Sequence, residues 1–124
     1  YYTLVDSYNI NKNSLHCLGP VKASSESLTH AAIYECSADI KAVIHIHHKE
    51  FWDKALNVIP TSSNTVPYGT PEMANEIFRL YKETEFSENK IMAMAGHDEG
   101  IIAFGNTLAE AGQIIEENFN RFVK

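Results

Sequence analysis

Seven residues restrict this chain more than any others: Ala42-Val43-Ile44-His45-Ile46-His47-His48. The run is apolar and β-branched before it turns polar, the pattern of a strand buried in a sheet. Side chains alternate faces along a strand, so Val43, His45 and His47 share one face, and Ile44, Ile46 and His48 the other. A single histidine in such a place would read as a hydrogen-bonded core residue or a strand-end residue. Two imidazoles on one rigid face point instead to a metal, because both reach one ion without backbone strain. His48 faces away and reads as a surface or supporting residue.

The composition sets the frame for such a site. A chain of 124 residues, 44% hydrophobic and 21% charged, is ordinary globular material with enough residues for its own core. The expectation is a single domain over 1–124. The sequence starts at Tyr1, without Met, and runs straight into a β-rich stretch, so we expect that an N-terminal part of the domain is lacking. A net charge of −6 argues against a nucleic-acid partner, whose phosphates are met by Lys and Arg. A small phosphorylated substrate needs only a few local donors and stays open. No apolar run is long enough to span a membrane, and no secretory signal is visible. Cys17 and Cys36 are too few for a disulfide framework, so both are expected as reduced thiols in a cytoplasmic protein.

Around the histidine strand the pattern alternates between strands and helices. Residues 1–10 and 14–18 read as a hairpin turning at Asn11-Lys12-Asn13. Gly19-Pro20 breaks it. Ser24 or Ser25 caps a helix running to about Cys36, with Glu26 in its first turn and Leu28, Ala31, Ala32 and Cys36 buried. The histidine strand spans 40–47, and a helix over 49–57 buries Phe51, Trp52, Ala55 and Leu56. Two prolines, a Ser-Ser-Asn-Thr cluster and a glycine make 59–70 a loop. Thr70 caps, and Pro71 starts, a helix to about Thr84 that buries Met73, Ile77, Leu80 and Tyr81. Residues 85–89 read as a polar connector, and 90–95 and 100–104 as strands around Gly96-His97-Asp98-Glu99. The last helix runs to about Val123, with Leu108, Ala111, Ile114, Ile115, Phe119 and Phe122 inward. Strands interleaved with helices of this length give an α/β layered domain.

Three further positions can carry chemistry. On the turn alone, His97 is an ordinary polar hairpin residue; given His45 and His47, it is the natural third nitrogen ligand, leaving an ion one open position. Glu26 reads either as a carboxylate that favours a helix start or as one that shuttles a proton beside the metal. Ser24 and Ser25, with the amides of the same helix start, either cap it or hold a phosphate. His30 lies one turn after Glu26 and reads as packing.

Read in order, Ala23-Ser24-Ser25-Glu26, His30-Ala31-Ala32-Ile33-Tyr34, the His45-Ile46-His47 strand, Gly96-His97, Gly100-Ile101-Ile102-Ala103-Phe104-Gly105 and Thr107-Leu108-Ala109-Glu110-Ala111 resemble the class II aldolase/adducin family. The resemblance covers about residues 19–117. It implies a three-layer α/β/α sandwich around a central, largely antiparallel sheet, assembled as a homotetramer with sites between subunits. It also implies a divalent metal, Zn2+ first with Mn2+ or Fe2+ as alternatives, held by His45, His47 and His97. Glu26 matches the family's acid/base carboxylate, and Ser24 and Ser25 match residues that hold a substrate phosphate. The implied activity is a lyase reaction on a small phosphorylated sugar through a metal-stabilised enediolate. The family also includes epimerases, dehydratases and decarboxylases, and non-catalytic adducin-like assembly domains. Three features depart from the family pattern. The last turn reads Gly96-His97-Asp98-Glu99-Gly100 where the family has Asn-His-Gly: aligned from Gly100 without a gap, Glu99 takes the third ligand position, and a two-residue insertion restores His97. An early Gly-Asn phosphate segment is missing. The 59–70 loop offers no clear match to the proton-donating tyrosine of some aldolases, and Tyr68 is not assigned that role.

Overall fold

A computed structural model describes residues 3–24 and 26–124. A hairpin of β1 (Leu4–Asn9) and β2 (Ser14–Leu18) comes first, turning through Asn13 at positive φ and carrying a bulge between Val5 and Ser7. It forms a two-stranded sheet of its own. Helix α1 (Ser27–Cys36) leads to β3 (Ala42–His47), then α2 (Lys49–Ala55), β4 (Thr61–Ser62) and α3 (Pro71–Glu83). The one-turn α4 (Phe86–Asn89), strands β5 (Ile91–Met94) and β6 (Gly100–Gly105), and α5 (Leu108–Phe122) complete the described chain.

The central sheet has the order β3-β6-β5-β4. Its β3–β6 and β5–β6 pairings are antiparallel and its β4–β5 pairing is parallel. Alternation along β5 and β6 builds a core on each face. Met92, Met94, Ile102 and Phe104 pack with Ala32 and Ile33 of α1, with Met73, Ile77 and Leu80 of α3, and with Phe86. Ile91, Ala93, Ile101 and Ala103 pack with Phe51 and Ala55 of α2, and half-buried Ile114, Ile115 and Phe119 of α5 close over them. The result is helices on both faces of a mostly antiparallel sheet, the α/β/α architecture expected above. Val43 joins the α1/α3 core, whereas Ile46 joins the α2/α5 core. His45 and His47 therefore project toward the α1 side.

Four local expectations need correction. The stretch 59–70 is not all loop: Thr61 and Ser62 pair with Ala93 and Met94 as an edge strand. Pro60 accepts from the Ala93 amide at 2.9 Å and flanks this pairing without having to donate to it. The 85–89 connector contains the α4 turn because Phe86 drops into the core, and Lys90 at positive φ ends it. Leu108 is 68% exposed rather than inward, because it is the first helical residue and the stripe that meets the sheet begins only at Ala111. Finally, α1 begins at Ser27, one residue beyond Glu26. Glu26 holds the cap position with helical backbone angles and no capping side-chain bond.

Candidate metal centre

The site is built where β3 runs out against the turn between β5 and β6. His45 and His47 come from β3, whose register pairs His45 with Ile102 and His47 with Gly100. The turn that carries His97 is closed by backbone bonds from His97 N–H to the Met94 carbonyl (3.2 Å) and from Gly100 N–H to the His97 carbonyl (3.0 Å). A third, from His48 N–H to the Glu99 carbonyl (3.1 Å), ties the turn to the end of β3. The turn demands Glu99 at positive φ, an uncommon conformation for a residue with a side chain. Gly100 lies under the imidazoles: a Cβ there would sit 2.9 Å from His97 Cδ2 and 3.4 Å from His45 Nε2. Only glycine leaves the two rings where they are.

The three rings form one group. Their centroids are 4.6 Å (His45–His47), 4.7 Å (His47–His97) and 5.2 Å (His45–His97) apart, and one ligand nitrogen from each lies within 4.8 Å of the others. His47 Nδ1 faces the Asp98 carbonyl at 3.3 Å. A carbonyl only accepts, so this nitrogen carries the proton and leaves Nε2 with a free lone pair. The Nε2 atoms of His45 and His97 are buried without a hydrogen-bond partner among the described residues. Burial, with help from the neighbouring His47, His97 and His30, pulls the His45 pKa down to about 4. Burial also lowers that of His97, with His47 adding to the effect and Asp98 opposing it. Buried, neutral, unpartnered imidazole nitrogens are costly unless something accepts their lone pairs. Those donors fit a divalent ion: nitrogens bound at about 2.1 Å can be no more than about 4.2 Å apart, so small ring movements would close the group. Glu99, the other reading of the third ligand position, is not part of this group.

Glu26 lies beside it. Glu26 is 4% exposed, and neither carboxylate oxygen has a hydrogen-bond partner among the described residues. Burial raises its pKa, and the Thr29 hydroxyl and the His47 ring offset part of the rise. Thr29, one turn along α1, is buried, and its hydroxyl is near Glu26 without a hydrogen bond of ordinary geometry among the described residues. No sequence motif singled it out, although its i+3 spacing from Glu26 puts it on the same helix face. A cleft of about 480 Å³ opens onto this region, with Glu26 and His45 in its lining and Val5, Tyr8 and Tyr34 among its walls. His30 also lines it, and burial lowers its pKa, so this residue belongs to the cleft rather than to packing alone. Ser24 reaches the same cleft from an exposed position, its Oγ accepting from the Glu26 amide at 3.1 Å. That bond is a local turn contact, not the helix cap expected of it. Ser25 lies outside the described residues. His48, pointing away as its place on the strand required, caps α2 by accepting from the Phe51 amide at 3.2 Å.

A layered α/β/α domain gathers three histidines at the end of its central sheet, next to a buried carboxylate, in a group that could hold a divalent ion. The family model for the class II aldolase and adducin N-terminal domain matches residues 4–118, and the chain belongs to that family. Class II aldolases use divalent metals; the same family also contains adducins, which are not enzymes. Among curated proteins, none matches the chain closely enough to compare. No helix of the described residues is long and apolar enough to cross a membrane.

Proposed function

We propose that this domain is a metal-dependent aldehyde-lyase acting on a small phosphorylated sugar. The observation that carries the reading is the buried Glu26 carboxylate, unpaired among the described residues, opening into the same cleft as His45, one of three clustered imidazoles. A divalent ion, zinc by preference, would be held by His45, His47 and His97 and would supply Lewis-acid stabilisation of an enediolate. The chain's own part is proton transfer and placement. An oxygen of Glu26 takes a proton from the substrate hydroxyl and returns one to the carbon left by carbon–carbon cleavage. Its raised pKa brings it nearer the working pH, where a group both accepts and donates efficiently. Ser24 and Ser25 are the residues assigned to the phosphate, a role supported for Ser24 by its exposed place on the cleft. The hairpin and α1 line the cleft around Glu26. A homo-oligomer, a tetramer in the first instance, and a cytoplasmic setting belong to the same reading; the two unbridged thiols, Cys17 and Cys36, support the latter.

Metal content of the wild type and of His45→Ala, measured by elemental analysis after exposure to zinc, tests this first. The expected result is about one equivalent in the wild type, lost in the variant, followed by cleavage of at least one ketose phosphate in a screen. No metal in either protein would replace this reading with an adducin-like assembly domain. Metal with dehydration, epimerisation or decarboxylation in place of cleavage would keep the site and reassign the reaction.

A further inference from the structure

His97 is held differently from the other two histidines. His45 and His47 stand on a strand fixed by its ladder to β6, and the Asp98 carbonyl orients the His47 ring. His97 stands in a turn, and its Nε2 has no hydrogen-bond partner among the described residues. Besides the other two histidines, the Tyr68 ring meets its ring. The two centroids are 4.1 Å apart with planes inclined by 33°, a close tilted contact of the two rings.

The loop that carries Tyr68 is anchored by contacts that involve none of the three histidines. The Ser63 amide donates to the buried Glu76 carboxylate of α3, and the Val66 amide donates to the Ser63 carbonyl at 3.2 Å. The Val66 carbonyl lies so close to Gly96 that a Cβ there would come within 2.2 Å of it. On the far side, Thr70 Oγ1 donates to the Pro67 carbonyl at 2.7 Å and caps α3 by accepting from the Met73 amide. Tyr68 thus projects from a frame fixed on both flanks, with Val66 against Gly96 and the Tyr68 ring against His97.

We propose that Tyr68 is a positioning residue whose ring sets the orientation of the His97 imidazole, presenting it to a divalent ion together with the β3 pair. The inference rests on the reading that the three histidines hold such an ion. Metal-binding histidines are commonly oriented by a hydrogen bond to the second ring nitrogen. Here an aromatic face supplies the orientation. The ring and not the hydroxyl does this, and the side that faces away from His97 leaves Tyr68 47% exposed.

The test is a Co2+ titration of the purified chain, read by visible ligand-field absorption and by competition with a chelator. Tyr68→Phe, Tyr68→Leu and His45→Ala are compared with the wild type. Tyr68→Phe is expected to match the wild type in affinity and spectrum. Tyr68→Leu, which keeps apolar bulk but no ring face, is expected to bind about tenfold more weakly with a changed spectrum. Both metal-free variants should melt close to the wild type, since the residue is half exposed. Wild-type affinity and spectrum in Tyr68→Leu would overturn the inference. So would a loss in Tyr68→Phe equal to that in Tyr68→Leu, whatever the melting temperature of the latter. If neither the wild type nor His45→Ala binds Co2+, the three-histidine reading itself falls. If the wild type binds and His45→Ala does not, that reading stands and the Tyr68 variants decide alone.

Discussion

A carboxylate buried without a partner is expensive, and Glu26 has none among the described residues. Its raised pKa means that the native state holds this proton more tightly than the unfolded chain. In the metal-free protein the stability it allows is therefore greatest in acid and falls as pH rises through the ordinary carboxylate value toward the native one. The penalty grows as the carboxylate ionises. Glu26→Gln removes the charge while keeping the shape, so it should melt no lower than the wild type at neutral pH. If Glu26 moves the proton, the same variant should keep its metal and lose about 10²–10⁴-fold in turnover. Thermal melting, metal analysis and steady-state rates on one preparation check all three. Intact turnover would return Glu26 to the role of a helix-start residue. A residue that costs stability and carries activity is the pattern of a functional site. His45 and His47 were legible in the sequence because strand alternation fixes which residues share a face. His97 was legible only beside them, since a turn has no periodicity from which to read direction. Thr29 carried no signal beyond its spacing.

Among the elements, the loop before α3 shows what local patterning leaves out. Its prolines and polar cluster are genuine loop signals, yet Ser62 is buried, and its hydroxyl accepts from the Ala95 amide at 3.2 Å. A two-residue strand is too short to show alternation, and only its neighbour β5 defines it. The α4 turn is likewise defined by Phe86 finding the core. The longer elements were readable because each repeats its apolar spacing over two turns or more. What fixes the loop is Glu76, buried on α3, which accepts from the Ser63 amide and from Arg79 Nε. Arg79 is half exposed, so the ion pair itself contributes little, and the bond to the loop amide is the larger share. Glu76→Ala should cost about 1–3 kcal/mol in urea denaturation at neutral pH, mostly from the stranded amide. Arg79, with help from the Ser63 amide, holds the Glu76 pKa below the ordinary carboxylate value. The unfolded chain thus takes up that proton first, and the contribution is present above the ordinary value and lost as pH falls through the native one. The deficit of the variant should narrow in acid. A deficit unchanged there would assign it to packing alone.

For the molecule as a whole, the hairpin is the part least accounted for by the chain's own contacts. It is a separate two-stranded sheet, and such sheets are marginal without a partner. The Tyr8 hydroxyl donates to Glu35 of α1 at 2.8 Å, and Ile10 packs against the α1/α3 core. Leu4 and Leu18, directly paired across the strands, are nevertheless 59% and 54% exposed, and Val21 is exposed as well. Apolar surface of this kind is what association covers. Light scattering on the purified chain should return a multiple of the monomer mass; a monomer mass would remove the oligomer from the proposal. Association should then divide the site's two properties. All three histidines come from one chain, so metal content should not depend on protein concentration. The cleft takes Val5 and Tyr8 of its wall from the hairpin, so turnover per chain should fall on dilution along with the mass. Turnover that stays constant while the mass drops to that of a monomer would show that one chain closes its own cleft.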